Sequence, residues 1–230
     1  MAKIAVVSSC YGEYDSIYAP PEQTVDCEWV LVTDSMPQLQ PSTRSYRHPS
    51  GMPESSWQVR IEPRPQLHPR TAAKVAKCRP DWYADADIYL WIDSSIKILS
   101  AEFVQWATSF LEHGPLAMKL SRARKSIIAE AEIAQGMQKY QGLPVLEQAQ
   151  HYLSKGYPDD WGVWGTGLMA RCAECPNFGD AWLAEQIRWT YEDQISLPWV
   201  LWNMNLRPVD LSIDFDLSDM LAITSHRDAS

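Results

Sequence analysis

Residues 85–95 read DADIYLWIDSS. Tyr89-Leu90-Trp91-Ile92 are consecutive apolar residues that run straight into Asp93 and two serines. A run that is apolar on both faces belongs in the middle of a sheet, and the residues just after it lie at the sheet's edge. In open α/β sheets, ligands bind beyond the carboxyl ends of the strands. Asp93 therefore reads either as a ligand-facing carboxylate or as the start of a turn or cap.

Before this strand, Pro69 to Arg79 reads as a helix, with Pro69 in its first turn and Pro80 ending it. Arg70, Lys74 and Lys77 are spaced i, i+4, i+7 and share one face. Beside the strand of Asp93 they could neutralise a diphosphate; otherwise they form a solvated face. Further strands are expected at 3–9, 28–33 and 116–120. Helices are expected at 101–113 (capped by Ser100, closed by Gly114), 124–140, 144–155 (ended by Gly156), 180–188 and 192–203. Residues 35–66 read as an irregular connection with at most one short strand. Residues 161–171 read as a glycine-punctuated loop entering a short strand, and the tail after Arg207 as mostly irregular. Strands alternating with helices predict a single α/β domain over 1–230, with a mainly parallel central sheet flanked by helices.

The last helix opens Tyr191-Glu192-Asp193-Gln194. Acids at a helix N-terminus are favoured by its dipole. An Asp-Gln pair ahead of the apolar run ISLPWVLW also sets polar groups at the mouth of a buried element. Near Trp161 and Trp164, the glycines Gly162, Gly165 and Gly167 form either a structural turn or a loop that a ligand can approach closely. Glu130 is a further carboxylate candidate, or else a solvated helix residue near Glu132.

The 230 residues carry a net charge of −9, which excludes a whole-molecule nucleic-acid footprint. No stretch approaches the ~20 apolar residues of a membrane span. MAKIAVVSSCYG reads as a first buried strand rather than a signal peptide. The five scattered cysteines fit reduced thiols, so a cytoplasmic location is expected. Cys172-Ala-Glu-Cys175 lacks the second ligand pair that a zinc site needs.

Taken in order, the motifs resemble the GT-A glycosyltransferases, and within them the plant-type (pollen and mucilage) glycosyltransferase-like domain related to glycogenin-like transferases. The resemblance rests on Tyr11-Gly12-Glu13-Tyr14-Asp15, on Arg70, Lys74 and Lys77, and on Trp91-Ile92-Asp93-Ser94-Ser95. It continues through Arg124 and Glu130-Ala131, through Gln148, Tyr152, Gly156 and Pro158, and ends at Glu192-Asp193-Gln194-Ile195-Ser196. It spans about residues 5 to 203. Three positions depart from the pattern. Ser95 stands where many GT-A enzymes carry the second acid of Asp-x-Asp, Leu120 or Ser121 stands near the place where the family often has a His, and Glu192 stands where the family has Arg.

The resemblance implies a GT-A-like (Rossmann-like) fold and transfer of a sugar from a nucleotide-sugar donor, a UDP-sugar, to an acceptor hydroxyl, with a lean toward retention. It implies that Tyr11 and Asp15 hold base and ribose, and that Arg70, Lys74, Lys77 and Ser95 line the donor site. Asp93 would bind Mn²⁺ or Mg²⁺, and Asp193 and Gln194 would lie near the anomeric carbon with Glu130 as a second carboxylate. His226 would be a late metal or phosphate ligand. The acceptor is left open among a glycan, a lipid-linked sugar, a protein, a small metabolite and a hydroxymethylated base of phage-type DNA. Arg122-Ala123-Arg124-Lys125 is available for phosphates. The alternative reading is a non-catalytic sugar or nucleotide-sugar binding module.

Overall fold

The computed structural model describes residues 2–40, 57–213 and 218–224. In chain order the elements are β1 (Ile4–Cys10), β2 (Glu28–Thr33), β3 (Gln58–Ile61), α1 (Pro69–Cys78), β4 (Ile88–Ile92), β5 (Ile96–Ile98), α2 (Phe103–Ser109) and β6 (Leu116–Leu120). They continue with α3 (Ile127–Gln135), α4 (Val145–Ser154), β7 (Trp164–Cys172), α5 (Phe178–Arg188), α6 (Asp193–Asn203), β8 (Val209–Asp210) and β9 (Leu221–Ile223). Seven strands form one mixed, mostly parallel sheet in the order β3-β2-β1-β4-β7-β6-β8. β7 alone runs against its neighbours β4 and β6. β5 and β9 make a separate antiparallel pair. The order β3-β2-β1-β4 is compatible with a Rossmann-like fold.

Strand periodicity divides the core. Val7, Val30, Val32, Tyr89 and Trp91 pack on one face of the sheet with α1, α5 and α6. Val6, Leu31, Leu90 and Ile92 pack on the other with Phe103 and Val104 of α2. Successive side chains of β1, β2 and β4 therefore enter different clusters, which explains why these strands read as unbroken apolar runs. A third cluster lies away from the sheet, where α3 and α4 meet Tyr157 and Ile195.

α1 begins as expected. Pro69 is in its first turn, and the His68 ring accepts a hydrogen bond from the Arg70 amide at 3.3 Å. It packs closely on α5. A Cβ on Gly179 would lie 2.0 Å from the Cys78 carbonyl oxygen, so no larger residue fits unless the helices separate.

Three expectations need correction. The helix expected over 101–113 is α2 followed by a 3-10 turn at Phe110–His113, and Ser100 accepts from the Glu102 amide just ahead of it. The helix expected over 124–140 is shortened to α3. Ser126 caps it by accepting from the Ala129 amide, and Gly136 precedes a separate 3-10 turn at Gln138–Tyr140. The glycine-punctuated loop expected to enter a short strand within 161–171 is mostly strand: β7 runs nine residues from Trp164, inside the sheet. Its pairing with β6 slips between Met118↔Met169 and Lys119↔Gly165, so residues 166–168 bulge away from β6 while Leu168 still pairs with Ile92. Bulges of this kind re-aim side chains.

Candidate functional site

The strand order reverses between β1 and β4. In a sheet of this type that reversal is where a crevice opens beyond the strand ends. A cavity of about 210 Å³ lies there, lined by residues that follow β1 (Tyr11, Tyr14, Asp15), by α1 (Arg70, Lys74), by Asp93 to Ser95, and by Asp193 and Gln194. Segments far apart in sequence thus meet at one sheet edge.

The base of the cleft is a buried charge cluster. Lys77 is fully buried, with its ammonium 3.1 Å from Asp93 Oδ1 and 2.7 Å from Asp193 Oδ2. Trp91 and Trp182 present ring faces to it, with centroids at 5.5 and 5.8 Å. Asp193 Oδ2 also accepts from Lys74 and, at 3.2 Å, from Thr166 Oγ1 on the bulge of β7. Asp193 Oδ1 accepts from Gln186 Nε2 of α5 at 2.7 Å. Burial by itself would push the Asp193 carboxyl up, but Lys74 and Lys77 outweigh it and hold the group below the usual carboxylate range. Burial would likewise push Lys77 down, and Asp193 and Asp93 reverse the sign and raise it. Both groups are charged near neutrality.

The sequence-derived site residues fall into distinct places. Arg70 lines the cleft, stacked over Tyr14 at 3.9 Å from its centroid. Lys74 lines it too, whereas Lys77 lies beneath as the counter-ion of both aspartates. Tyr11 is buried, its hydroxyl donating to the Glu62 carbonyl at 2.8 Å, and Asp15 accepts from Ser94 Oγ. Ser95 is buried at the cleft wall. Glu130 is not a solvated helix residue: it is buried and paired with Arg124 at 2.8 Å. Burial first, and Glu192 second, raise its carboxyl against the opposing pull of Arg124. Glu130 lines neither this cleft nor its neighbour. His226 lies outside the described residues. Cys10 at the cleft edge stays a thiol, because burial pushes its pKa up to about 11.

Glu192 is the N-cap of α6, its Oε1 accepting from the Gln194 amide at 3.1 Å. Gln194 is half-buried, and its side chain makes no hydrogen bond to another described residue. Pro198, four residues on, has no N–H to give the Gln194 carbonyl.

No protein-family model matches the chain, and no curated protein matches it in sequence.

A second cavity of about 600 Å³ adjoins the cleft, and the two share Asp93, Ser95, Thr166 and Gln194. Gly165 and Gly167 line this second cavity, whereas Trp164 is packed in the core. A Cβ on Gly167 would stand 3.4 Å from Asp93 Oδ2 and 3.3 Å from Ile96, so glycine lets β7 pass close to the carboxylate. A third cavity of about 140 Å³ lies behind Cys10 and Asp15, toward Thr33 and Ser35 at the end of β2.

Could a divalent cation be held here? Among the described residues no three His, Cys, Asp or Glu side chains gather as a ligand set. Asp93 commits Oδ1 to Lys77 and to Trp91 Nε1 at 2.7 Å, while Oδ2 accepts no hydrogen bond from the described residues. One free carboxylate oxygen suits a Mg²⁺-like ion that takes its other ligands from substrate phosphates and water. The charges fit as well. Arg70, Lys74, Lys77 and Lys139 are balanced by Asp15, Asp93, Glu192 and Asp193, so an entering diphosphate would need an extra cation.

Sequence reasoning missed Thr166, Gln186 and Lys139. Thr166 sits between two glycines that read as a structural turn or as a loop open to a ligand, and the threonine itself gave no signal; Gln186 carries no local signal in mid-α5. Among the described residues, no helix is long and apolar enough to cross a membrane.

Proposed function

We propose that the chain is a nucleotide-sugar-dependent glycosyltransferase of GT-A type, with the cleft at the ends of β1 and β4 as its donor site. One observation carries this reading. The cleft sits at the reversal point of an α/β sheet, where such sheets bind nucleotides, and it gathers Tyr11, Asp15, Arg70, Lys74, Asp93, Asp193 and Gln194 on its walls. These are the residues of the ordered motifs that resemble that family.

The nucleoside lies along Tyr11 and Asp15 toward the third cavity, and the diphosphate meets Arg70 and Lys74. Asp93 Oδ2 would hold Mn²⁺ or Mg²⁺, which supplies Lewis-acid stabilisation of the leaving diphosphate. The donor sugar reaches the shared wall at Ser95, Thr166 and Gln194, and the acceptor hydroxyl comes from the second cavity. Asp193 acts as a positioning residue. Its carboxylate is held below its ordinary pKa and both its oxygens already accept from Lys74, Lys77, Thr166 and Gln186, so it is a poor general base. That favours a retaining course, in which no strong protein base is needed. Lys77 and Asp193 together fix Lys74 and Asp93 before the donor arrives, which is electrostatic preorganisation.

The same saturation of Asp193 favours the second reading, a nucleotide-sugar binding module without turnover. Incubation with a panel of UDP-, GDP- and CMP-sugars separates the two. The transferase reading expects slow, metal-dependent release of free nucleotide from one donor without added acceptor. Donor binding without release would leave the binding module, and neither binding nor release would remove the donor site altogether.

A further inference from the structure

We infer that Lys139 is a further donor-binding residue, which forms a clamp with Arg70 on the diphosphate from the 3-10 turn between α3 and α4. This rests on the donor-site reading of the cleft. Lys139 belongs to the turn Gln138–Tyr140 and lies outside every motif of the resemblance. It lines the cleft all the same, together with Arg70, Lys74, Tyr191 and Asp193.

Aromatic packing holds the turn at the cleft. The Tyr191 hydroxyl donates to the Lys139 carbonyl, and the buried Tyr140 ring lies against Tyr191 with centroids 5.7 Å apart. Tyr191 directly precedes Glu192, the N-cap of α6, so these contacts also tie Lys139 to the start of the helix that carries Asp193 and Gln194. The Lys139 ammonium stands 4.7 Å from the Tyr140 ring centroid, and the Arg70 guanidinium 6.0 Å from that of Tyr191. Both cations therefore belong to one aromatic corner of the cleft.

The cations of the cleft differ in their commitments. Lys77 is spent on Asp93 and Asp193, and Lys74 on Asp193. Among the described residues, no carboxylate stands within ion-pair distance of Lys139 or of Arg70. The charged and titratable groups that face Lys139 are Glu192 and Asp193 at the start of α6, Arg70 and Lys74 of α1, and Tyr140 and Tyr191 beside it. Lys139 is exposed at the rim, yet the protein around it still lowers its ammonium pKa from the ordinary lysine value. Arg70 and Lys74 add to that, against the pull of Glu192 and Asp193. A phosphate oxygen bound there supplies the missing counter-charge and favours the charged form. The cleft also has an unfilled place for a polar ligand. Ser9 shares the face of Val7, which packs on α1, and lines the cleft at only 4% exposure. Its hydroxyl has no hydrogen-bond partner among the described residues, as expected where a ligand completes the site.

Calorimetric titration of the full chain with UDP, Mg²⁺ present, tests this. Inorganic pyrophosphate is the second probe, since it carries the anion without the nucleoside. Lys139→Ala should weaken UDP binding by about 10-fold or more, the loss of one charge-assisted contact, whereas Lys139→Arg should stay within about 3-fold of the native chain. The pH profile separates the clamp from a structural effect. A neutral lysine holds no phosphate, so native affinity should fall as pH rises from neutrality toward the ordinary lysine value near ~10.4. Lys139→Arg keeps its charge and should lack that fall. The ligand's own titration is common to both chains, so the difference between them reads Lys139 alone. A lysine that is merely solvated predicts equal UDP affinity and identical pH profiles in all three chains. That result overturns the inference and leaves the donor site standing. If UDP does not bind, the donor-site reading falls and pyrophosphate decides the clamp. Binding of pyrophosphate that depends on Lys139 keeps it; no binding, or equal binding to Lys139→Ala, removes it.

Discussion

The cleft at the ends of β1 and β4 keeps the charges at its base in buried pairs, whereas the second cavity, beside β6, presents one exposed guanidinium, Arg122, beside the half-buried Arg124 and its buried partner Glu130. Lys77 and Asp193 are shut away from solvent and hold each other, Lys74 and Asp93 in place. Arg122 reaches into open space with one acid at 4.0 Å. A buried pair cannot lose one member cheaply, because the other is left charged in a poor solvent. An exposed pair contributes little to stability and can adjust to what binds. In the proposed reading the charges at the base of the donor cleft are set by folding itself, whereas the exposed Arg122 can adjust to a ligand.

Substitutions that break this contrast should rank accordingly. Asp193→Ala strips Lys77 and Lys74 of their main partner and should cost about 3–5 kcal/mol in denaturant unfolding. Gly179→Ala forces α5 off the Cys78 carbonyl and should cost about 1–3 kcal/mol or more. Because α1 carries Arg70 and Lys74, the same change should weaken nucleotide binding, as read by titration with UDP.

Acidity probes the donor side too. The Asp193 pKa is lowered on folding, so its stabilising effect is full above its unfolded value near ~4 and is lost as pH falls toward the folded value. The Lys77 pKa is raised, so its effect is full below its unfolded value near ~10.4 and is lost as pH climbs toward the folded one. Melting temperature measured against pH should therefore show a plateau between these limits, and Asp193→Asn should flatten the acid limb. An unchanged acid limb in that variant would show that the cluster does not couple to folding.

Gln194→Ala removes a half-buried amide with no described partner, so its stability change should stay within about 0.5 kcal/mol. Nucleotide release should fall on the order of 100-fold if the amide steadies the reacting groups. Arg122→Ala should change stability least, within about 0.5 kcal/mol, and show itself only in acceptor binding.

Local pattern revealed the parts of the fold that local pattern controls. β2 and β6 fall on their expected residues and β1 within one, and β4 holds the apolar run Tyr89–Ile92, because each is an apolar stretch between turn residues. α1 carries its start and stop signals in Pro69 and Pro80. The motif residues of the donor side were legible as well, and the fold gathers most of them on one edge. β7 was not legible. Gly165 and Gly167 mimic a loop, and nothing local shows that Trp91 will pair with Met169 across the sheet. The bulge that turns Thr166 toward Asp193 lies in the pairing of β7 with β6, another long-range contact, so it was hidden for the same reason. Glu130 and Lys77 showed their charge but not their depth, since burial of a charged residue depends on partners distant in sequence, such as Asp193 for Lys77.

The central claim is that Asp93 and its lysine-braced surroundings form a nucleotide-sugar site. Thermal unfolding with a UDP-sugar panel, with and without Mn²⁺, on the native chain and on Asp93→Ala, tests it most directly. A ligand that binds only the folded state raises the melting temperature by mass action. The account predicts a rise for one donor that requires Mn²⁺ and vanishes in Asp93→Ala. A melting temperature indifferent to every nucleotide and nucleotide sugar, with or without metal, would contradict it.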